Sequence, residues 1–230
     1  MSTFRDKEAW TGLYQTLLRQ SRLDEFQALC GRVLSGDFLT PYRNERSHVH
    51  VLRGMAFETD GKLHEALSDY EKAIGANAGA WEALNNAAWH IAQLAPTRVE
   101  VARGYIEKAL ELRPEDATVL DTAAEVFSVS GETDRALTLI DAALAKVAAD
   151  RLPKFTLHKA MILRRADRKT EMEAVLKGLV ASHPDDPAGK RAREILWDME
   201  EQLRMAEQAK RDAEERAARE AASPPEDSGE

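Results

Sequence analysis

Small residues recur in this chain at a spacing that suits paired helices. Ala136, Ile140, Ala143 and Leu144 step by four, three and one residues, which puts them on one face of an α-helix. The same frame reads Ala66, Tyr70, Ala73, Ile74 and again Ala102, Ile106, Ala109, Leu110. It reads more weakly as Met172, Leu176, Leu179, Val180 and as Phe26, Cys30, Val33, Leu34. Two helices touch along their length where one of them carries small side chains, and the alanines meet that need. The helix before each of these carries a matching notch at Gly54, Ala88, Ala124 and Ala160. Three residues on comes a large apolar side chain: Phe57, Ile91, Phe127 or Leu163. The unit is a helical hairpin, and it repeats.

The period follows from the same residues. Ala66 to Ala102 is 36, Ala102 to Ala136 is 34 and Ala136 to Met172 is 36. The extra residues fall in loops, at Ala95-Pro96-Thr97 and near Arg151-Leu152, so the underlying period is about 34. Gly61 and Gly131 mark turns where positive φ is easily reached. Pro114 and Pro184 close two units, since proline cannot continue a helix.

This pattern resembles the tetratricopeptide repeat. VLRGMAFETDGKLHEALSDYEKAI (51–74) is similar to a near-consensus unit, and NNAAWHIA (85–92) resembles the Asn-Asn-x-Ala-Trp helix of bacterial repeats. The resemblance covers about residues 7–186 in five units, with the middle three the most specific. It implies an all-α, right-handed superhelical α-solenoid with a C-terminal capping helix. Arg53 and Lys159 stand where the family has apolar residues, and Tyr14 fills the notch of the first unit.

The organisation expected is as follows. Residues 1–46 form an atypical first hairpin and a loop (35–46) marked by Gly36 and Pro41. The regular array spans 47–186, as units 47–80, 81–116, 117–150 and 153–186. Thr97-Arg98-Val99-Glu100 reads as a capping box opening the second helix of the 81–116 unit. Residues 187–222 form a capping helix with a charged extension. Ile195, Leu196, Met199 and Leu203 are its apolar stripe, and 187–205 covers the last unit's open face. Opposite charges four apart, such as Glu207 and Arg211, suit a solvated helix beyond it. Residues 223–230 are expected to be disordered.

A net charge of −8 argues against binding driven by phosphate neutralisation, so no nucleic-acid partner is expected. No stretch approaches the roughly 18–20 apolar residues of a membrane span, and MSTFRDKEAW lacks an apolar run of signal-peptide length. The expected location is cytoplasmic, and the single cysteine, Cys30, on the buried frame fits a reducing compartment. His48 and His50 lie two apart and diverge by about 200° on a helix, so they do not share a metal ion. No catalytic constellation, phosphate-cradling loop or cofactor motif is found in the sequence. No cofactor and no enzymatic activity are expected.

The resemblance implies that the first helices line a concave groove. On this sequence it assigns Met55 from the second unit and Glu82, Asn85, Asn86, Trp89 and Gln93 from the third. It adds Asp121, Thr122 and Glu125 from the fourth, and Lys154, His158, Met161, Arg164 and Arg165 from the fifth. Asparagine amides can pair with a peptide backbone, and Trp89 offers a large stacking surface. A basic portion of a bound segment would lie against Glu82, Asp121 and Glu125, and an acidic portion towards Arg164 and Arg165. The alternative is that Asn85 and Asn86 tie adjacent helices together and that Trp89 is partly core. The chaperone-tail receptors of the family clamp two carboxylates with Lys, Asn, Asn, Lys and Arg, and of these Asn86 alone is matched. The function expected is therefore a non-catalytic adaptor or scaffold that binds a protein segment in the groove. The competing readings are a self-assembling structural element, a homo-oligomer joined through its ends, and a regulatory subunit of an enzyme.

Overall fold

The computed structural model describes residues 6–36, 39 and 42–222. Among them are eleven α-helices and no strand, in the order of a solenoid. The first pair is α1 (Lys7–Arg19) and α2 (Leu23–Ser35), and the second is α3 (Arg43–Thr59) and α4 (Leu63–Ala76). Then come α5 (Trp81–Leu94) with α6 (Val99–Leu112), and α7 (Ala117–Val129) with α8 (Thr133–Leu144). The fifth pair is α9 (Leu152–Arg165) and α10 (Lys169–Ser182), followed by the long α11 (Pro187–Ala222). None of these helices is long and apolar enough to cross a membrane.

The repeating frame is the core. Ala66, Ala73, Ala102, Ala109, Ala136 and Ala143 are fully buried, as are Tyr70, Ile106 and Ile140 between them. The notch residues Ala88, Ala124 and Ala160 are fully buried as well. At Gly54 the reason for a small residue can be measured. A Cβ there would stand 2.7 Å from Cε1 of Tyr70, inside van der Waals contact. In the first pair the notch holds Tyr14 instead, and its ring packs 5.4 Å from that of Phe26. That pair builds its own cluster, from Trp10, Tyr14, Phe26, Cys30 and Leu34 to Val49 and Leu52 of α3. Burial pushes the Cys30 thiol up to about 12, so it stays protonated and inert.

The two charged residues in apolar positions each find an acid. Arg53 bonds both oxygens of the buried Asp69 at 2.5 and 2.7 Å, and its guanidinium lies 5.8 Å over Phe57. Lys159 bonds Asp141 at 2.6 Å. The turns within four of the five pairs, all but that between α5 and α6, share one feature. Gly61 (φ 73°) and Gly131 (φ 84°) adopt positive φ, and Ser21 (φ 56°) and Asp167 (φ 55°) do so in the first and fifth pairs. The sequence marks the first two and hides the others, because Ser and Asp do not announce a left-handed turn.

Three boundaries differ from the sequence reading. Helix α3 starts at Arg43, so residues 43–46 belong to a helix and not to the 35–46 loop. Pro41 lies outside the described residues, as does 223–230. The capping box at Thr97 does not form: Pro96–Arg98 is a 3-10 turn, and α6 begins after Arg98 with no side-chain cap. Proline at the first position, with φ already fixed near the helical value, favours the turn. At the far end, Ala188, Ala192 and Ile195 are buried on α9 and α10, with Leu196 and Met199 packed beside them. Leu203 is exposed, so the packed stripe ends about one turn earlier than its sequence suggests. Gly189 is needed at this junction, because a Cβ would fall 1.8 Å from the His183 carbonyl oxygen.

Candidate functional site

The first helices of the pairs present two clefts. One, of about 560 Å3, is lined by α1, α3 and the start of α5. Lys7, Thr11, Tyr14 and Gln15 come from α1, His48, Val51 and Met55 from α3, and Trp81 and Glu82 from α5. Thr11 Oγ1 and His48 Nε2 stand 3.1 Å apart across it. Burial, and the charge of Lys7, hold the His48 imidazole below its usual pKa, so it is neutral at pH 7.

The second cleft, of about 480 Å3, is lined by Trp89, Gln93, Glu125, His158, Met161, Arg164 and Arg165. It is built by contacts that run between pairs. The Trp89 ring of α5 stacks on the His158 ring of α9, centroids 5.2 Å apart, across the intervening α7. His158 Nδ1 also lies 2.9 Å from both oxygens of Asp121, and the Phe155 ring is near-parallel to the imidazole with centroids 6.3 Å apart. Arg165 donates to Glu125 at 2.8 Å and to Ser128 at 2.6 Å, and Gln93 donates to Glu125 at 2.8 Å. Arg164 is exposed and makes no ion pair among the described residues.

The residues singled out by sequence divide accordingly. Trp89, Gln93, Glu125, His158, Met161, Arg164 and Arg165 are brought together in the second cleft, and Met55 and Glu82 lie in the first. Lys154 is exposed but lines neither, and Asn86 is half-buried and lines neither. Asn85, Asp121, Thr122 and Glu125 are buried rather than open to a partner. This corrects the expected electrostatics. Asp121 and Glu125 are already engaged by His158 and Arg165, so they are not free to meet a basic segment. Asn85 Nδ2 donates to Asn86 Oδ1 at 3.1 Å, and Asn85 Oδ1 has no partner. That bond lies within α5, between neighbouring residues, and ties no second helix. Lys7, Thr11, Tyr14 and Gln15 went unassigned because Tyr14 breaks the small-residue frame that would have placed α1 in register.

Two further networks join α3 to α4 and α5. Tyr70 donates to Glu58 at 2.8 Å, and His90 Nε2 lies 3.3 Å from the same carboxylate. The His90 contact, followed in effect by the Tyr70 bond, outweighs burial and holds the Glu58 carboxyl below its usual range. Burial would raise Asp69, but hydrogen bonds from His50 and Arg53 and their charges bring it below the usual range.

No protein-family model matches the sequence, and no curated protein matches it. Solved structures do match over most of the chain. A thermophilic TPR protein from Thermus thermophilus is 18% identical, with a TM-score of 0.62 over 84% of this chain and 100% of that one. A tetratricopeptide repeat protein from Parabacteroides merdae is 18% identical, with a TM-score of 0.61 over 95% and 80%. YrrB, described as a TPR protein with an unusual peptide-binding site, is 15% identical, with a TM-score of 0.57 over 83% and 93%. At these identities the likeness is one of fold, and the fold is the tetratricopeptide-repeat solenoid.

Proposed function

We propose that this tetratricopeptide-fold chain is a non-catalytic interaction scaffold that binds a protein segment along the inner face of its first helices. The observation that carries the reading is the second cleft. Its aromatic and thioether surfaces, Trp89 and Met161, stand beside Arg164, a cation with no ion pair among the described residues. The acids here already have partners within the chain: Asp121 is hydrogen-bonded to His158, and Glu125 is ion-paired with Arg165. A complementary segment therefore brings an apolar side chain and an adjacent carboxylate, because the accessible charge is positive and the accessible carbon is aromatic. The solenoid fold supports the reading, and so does the peptide-binding site named for YrrB.

A peptide library displayed on phage and selected on the full chain tests this. Enriched sequences should pair a large apolar residue with a nearby Asp or Glu. Trp89→Ala and Arg164→Ala should each weaken a selected peptide by about tenfold or more, with helicity unchanged. No enrichment, or peptides that bind both variants as well as the parent, would sink the proposal.

A further inference from the structure

A third cleft, of about 580 Å3, opens where the start of α3 meets the end of α4. It is lined by Arg43, Arg46 and His50 of α3 and by Lys72, Gly75 and Ala76 of α4. It shares no lining residue with the two inner-face clefts. In a chain of net charge −8, no acidic residue lines it.

The charges around it are not consumed by the protein itself. Arg43 and Lys72 are exposed and make no hydrogen bond or ion pair with the described residues. A terminal guanidinium nitrogen of Arg46 donates to the Leu34 carbonyl at 3.2 Å, which occupies one donor and leaves the charge without an acidic partner among the described residues. His50 is buried and forms part of the wall, with Nδ1 3.0 Å from Asp69. None of the acids of the two helices lines the cleft. Asp69 is held by Arg53 and His50, Glu71 by Arg98 at 2.6 Å, and Glu45, in the first turn of α3, does not line the cleft.

The placement also runs against local preference. Arg43 and Arg46 occupy the first turn of α3, at the positive end of the helix dipole, where cations are disfavoured. Tyr42, the N-cap residue of α3, makes no side-chain capping bond among the described residues. Arg43 shows no internal contact among the described residues that offsets this, and an uncompensated break of a local rule is expected at functional or strained positions.

We propose that this cleft binds a phosphate monoester. One arginine satisfies a carboxylate through a two-pronged bond, whereas here three cations approach from two helices. A phosphoryl group, with three acceptor oxygens and a charge of about −1.5 to −2 at pH 7, uses all three. The monoester can be a free phosphorylated small molecule or a phosphorylated side chain.

Titration of the full chain with inorganic phosphate, O-phosphoserine and a phosphoserine peptide tests this, against chloride at matched ionic strength. Binding is read by calorimetry and by thermal melting. Saturable binding of phosphate and phosphoserine is expected. A peptide that binds about tenfold tighter than O-phosphoserine assigns the site to a phosphorylated protein, and equal binding assigns it to the small molecule. Arg43→Gln and Lys72→Gln should each weaken binding by about tenfold, the loss of one charge-assisted bond. Without phosphate, Arg43→Gln should melt no lower than the parent, since it removes a cation from the positive helix end. Non-saturable binding, or binding that both variants retain, overturns the proposal. So does a fall in melting of Arg43→Gln without phosphate, which would make Arg43 a structural residue.

Discussion

The two inner-face clefts are of similar size but are held together by different forces. Across α1 and α3, the first is joined by the Thr11–His48 contact between neutral groups. The second is laced by buried carboxylates, with Asp121 bonded to His158 and Glu125 to Arg165, and by a ring stack that spans α7. Charges read from sequence in the second region therefore overstate what a partner meets. In the first region, Lys7 and Glu82 remain at the rim with no salt bridge among the described residues, and the accessible charge is closer to what the sequence shows.

The sharpest way to break this contrast is to remove one member from each. His158→Ala strips the buried Asp121 of its partner and Trp89 of its stack. A hydrogen bond to a charged group is worth roughly 1.5–3 kcal/mol. The His158 side chain is 19% accessible and that of Asp121 7%, so about 2 kcal/mol is expected here. Thr11→Ala removes one partly exposed hydrogen bond and should cost about 0.5 kcal/mol. Urea unfolding monitored by circular dichroism compares the two. Equal losses would mean that the buried pair is no more than a surface contact.

Acid should separate the regions next. The folded state keeps His48 neutral, whereas an unfolded histidine takes up a proton near pH 6.5. The unfolded state then binds more protons, so the stability of the first region falls as pH drops below about 6.5. Asp69 behaves differently. Its folded carboxyl is lowered, so its contribution is present above the unfolded value near 4 and is lost as pH falls through the lower folded value. Amide hydrogen exchange at pH 7.5 and 5.5 should show α1 and α3 opening more at the lower pH, with α7 and α9 less affected. His48→Gln should abolish the difference, and its persistence would assign the effect to another group.

How much of this was legible from the chain depends on distance along it. The core frame was legible because its residues lie within one helix, three or four apart. The notch at Gly54 was legible for the same reason, and Tyr70, which requires it, is in the same unit. The contacts that close the second cleft were not. Asp121 meets His158 at a separation of 37 residues and Glu125 meets Arg165 at 40, each in the next repeat. A family register assigns a residue to the inner face but says nothing of what the following repeat lays over it. That depends on the superhelical curvature and on which side chains reach across, and neither is encoded within one period. The third cleft was missed for a further reason: its arginines were assigned to a loop, and α3 starts before the repeat does.

The smallest effect lies in the turns, and it again sets one end of the molecule against the other. Ser21, between α1 and α2, and Asp167, between α9 and α10, hold positive φ without being glycine. Each carries a Cβ that this conformation crowds, while glycine adopts it freely. Asp tolerates the left-handed region better than Ser because its carboxylate can bond nearby backbone. Asp167 also lies 3.5 Å from Lys169, an exposed pair worth little. Ser21→Gly should therefore stabilise the chain by about 0.5–1 kcal/mol and Asp167→Gly by about half as much, since the flexibility that glycine adds to the unfolded chain offsets part of the gain. Chemical unfolding of the two variants side by side measures the difference. A loss of stability at Ser21 would show that its side chain contributes more to the turn than its backbone strain removes.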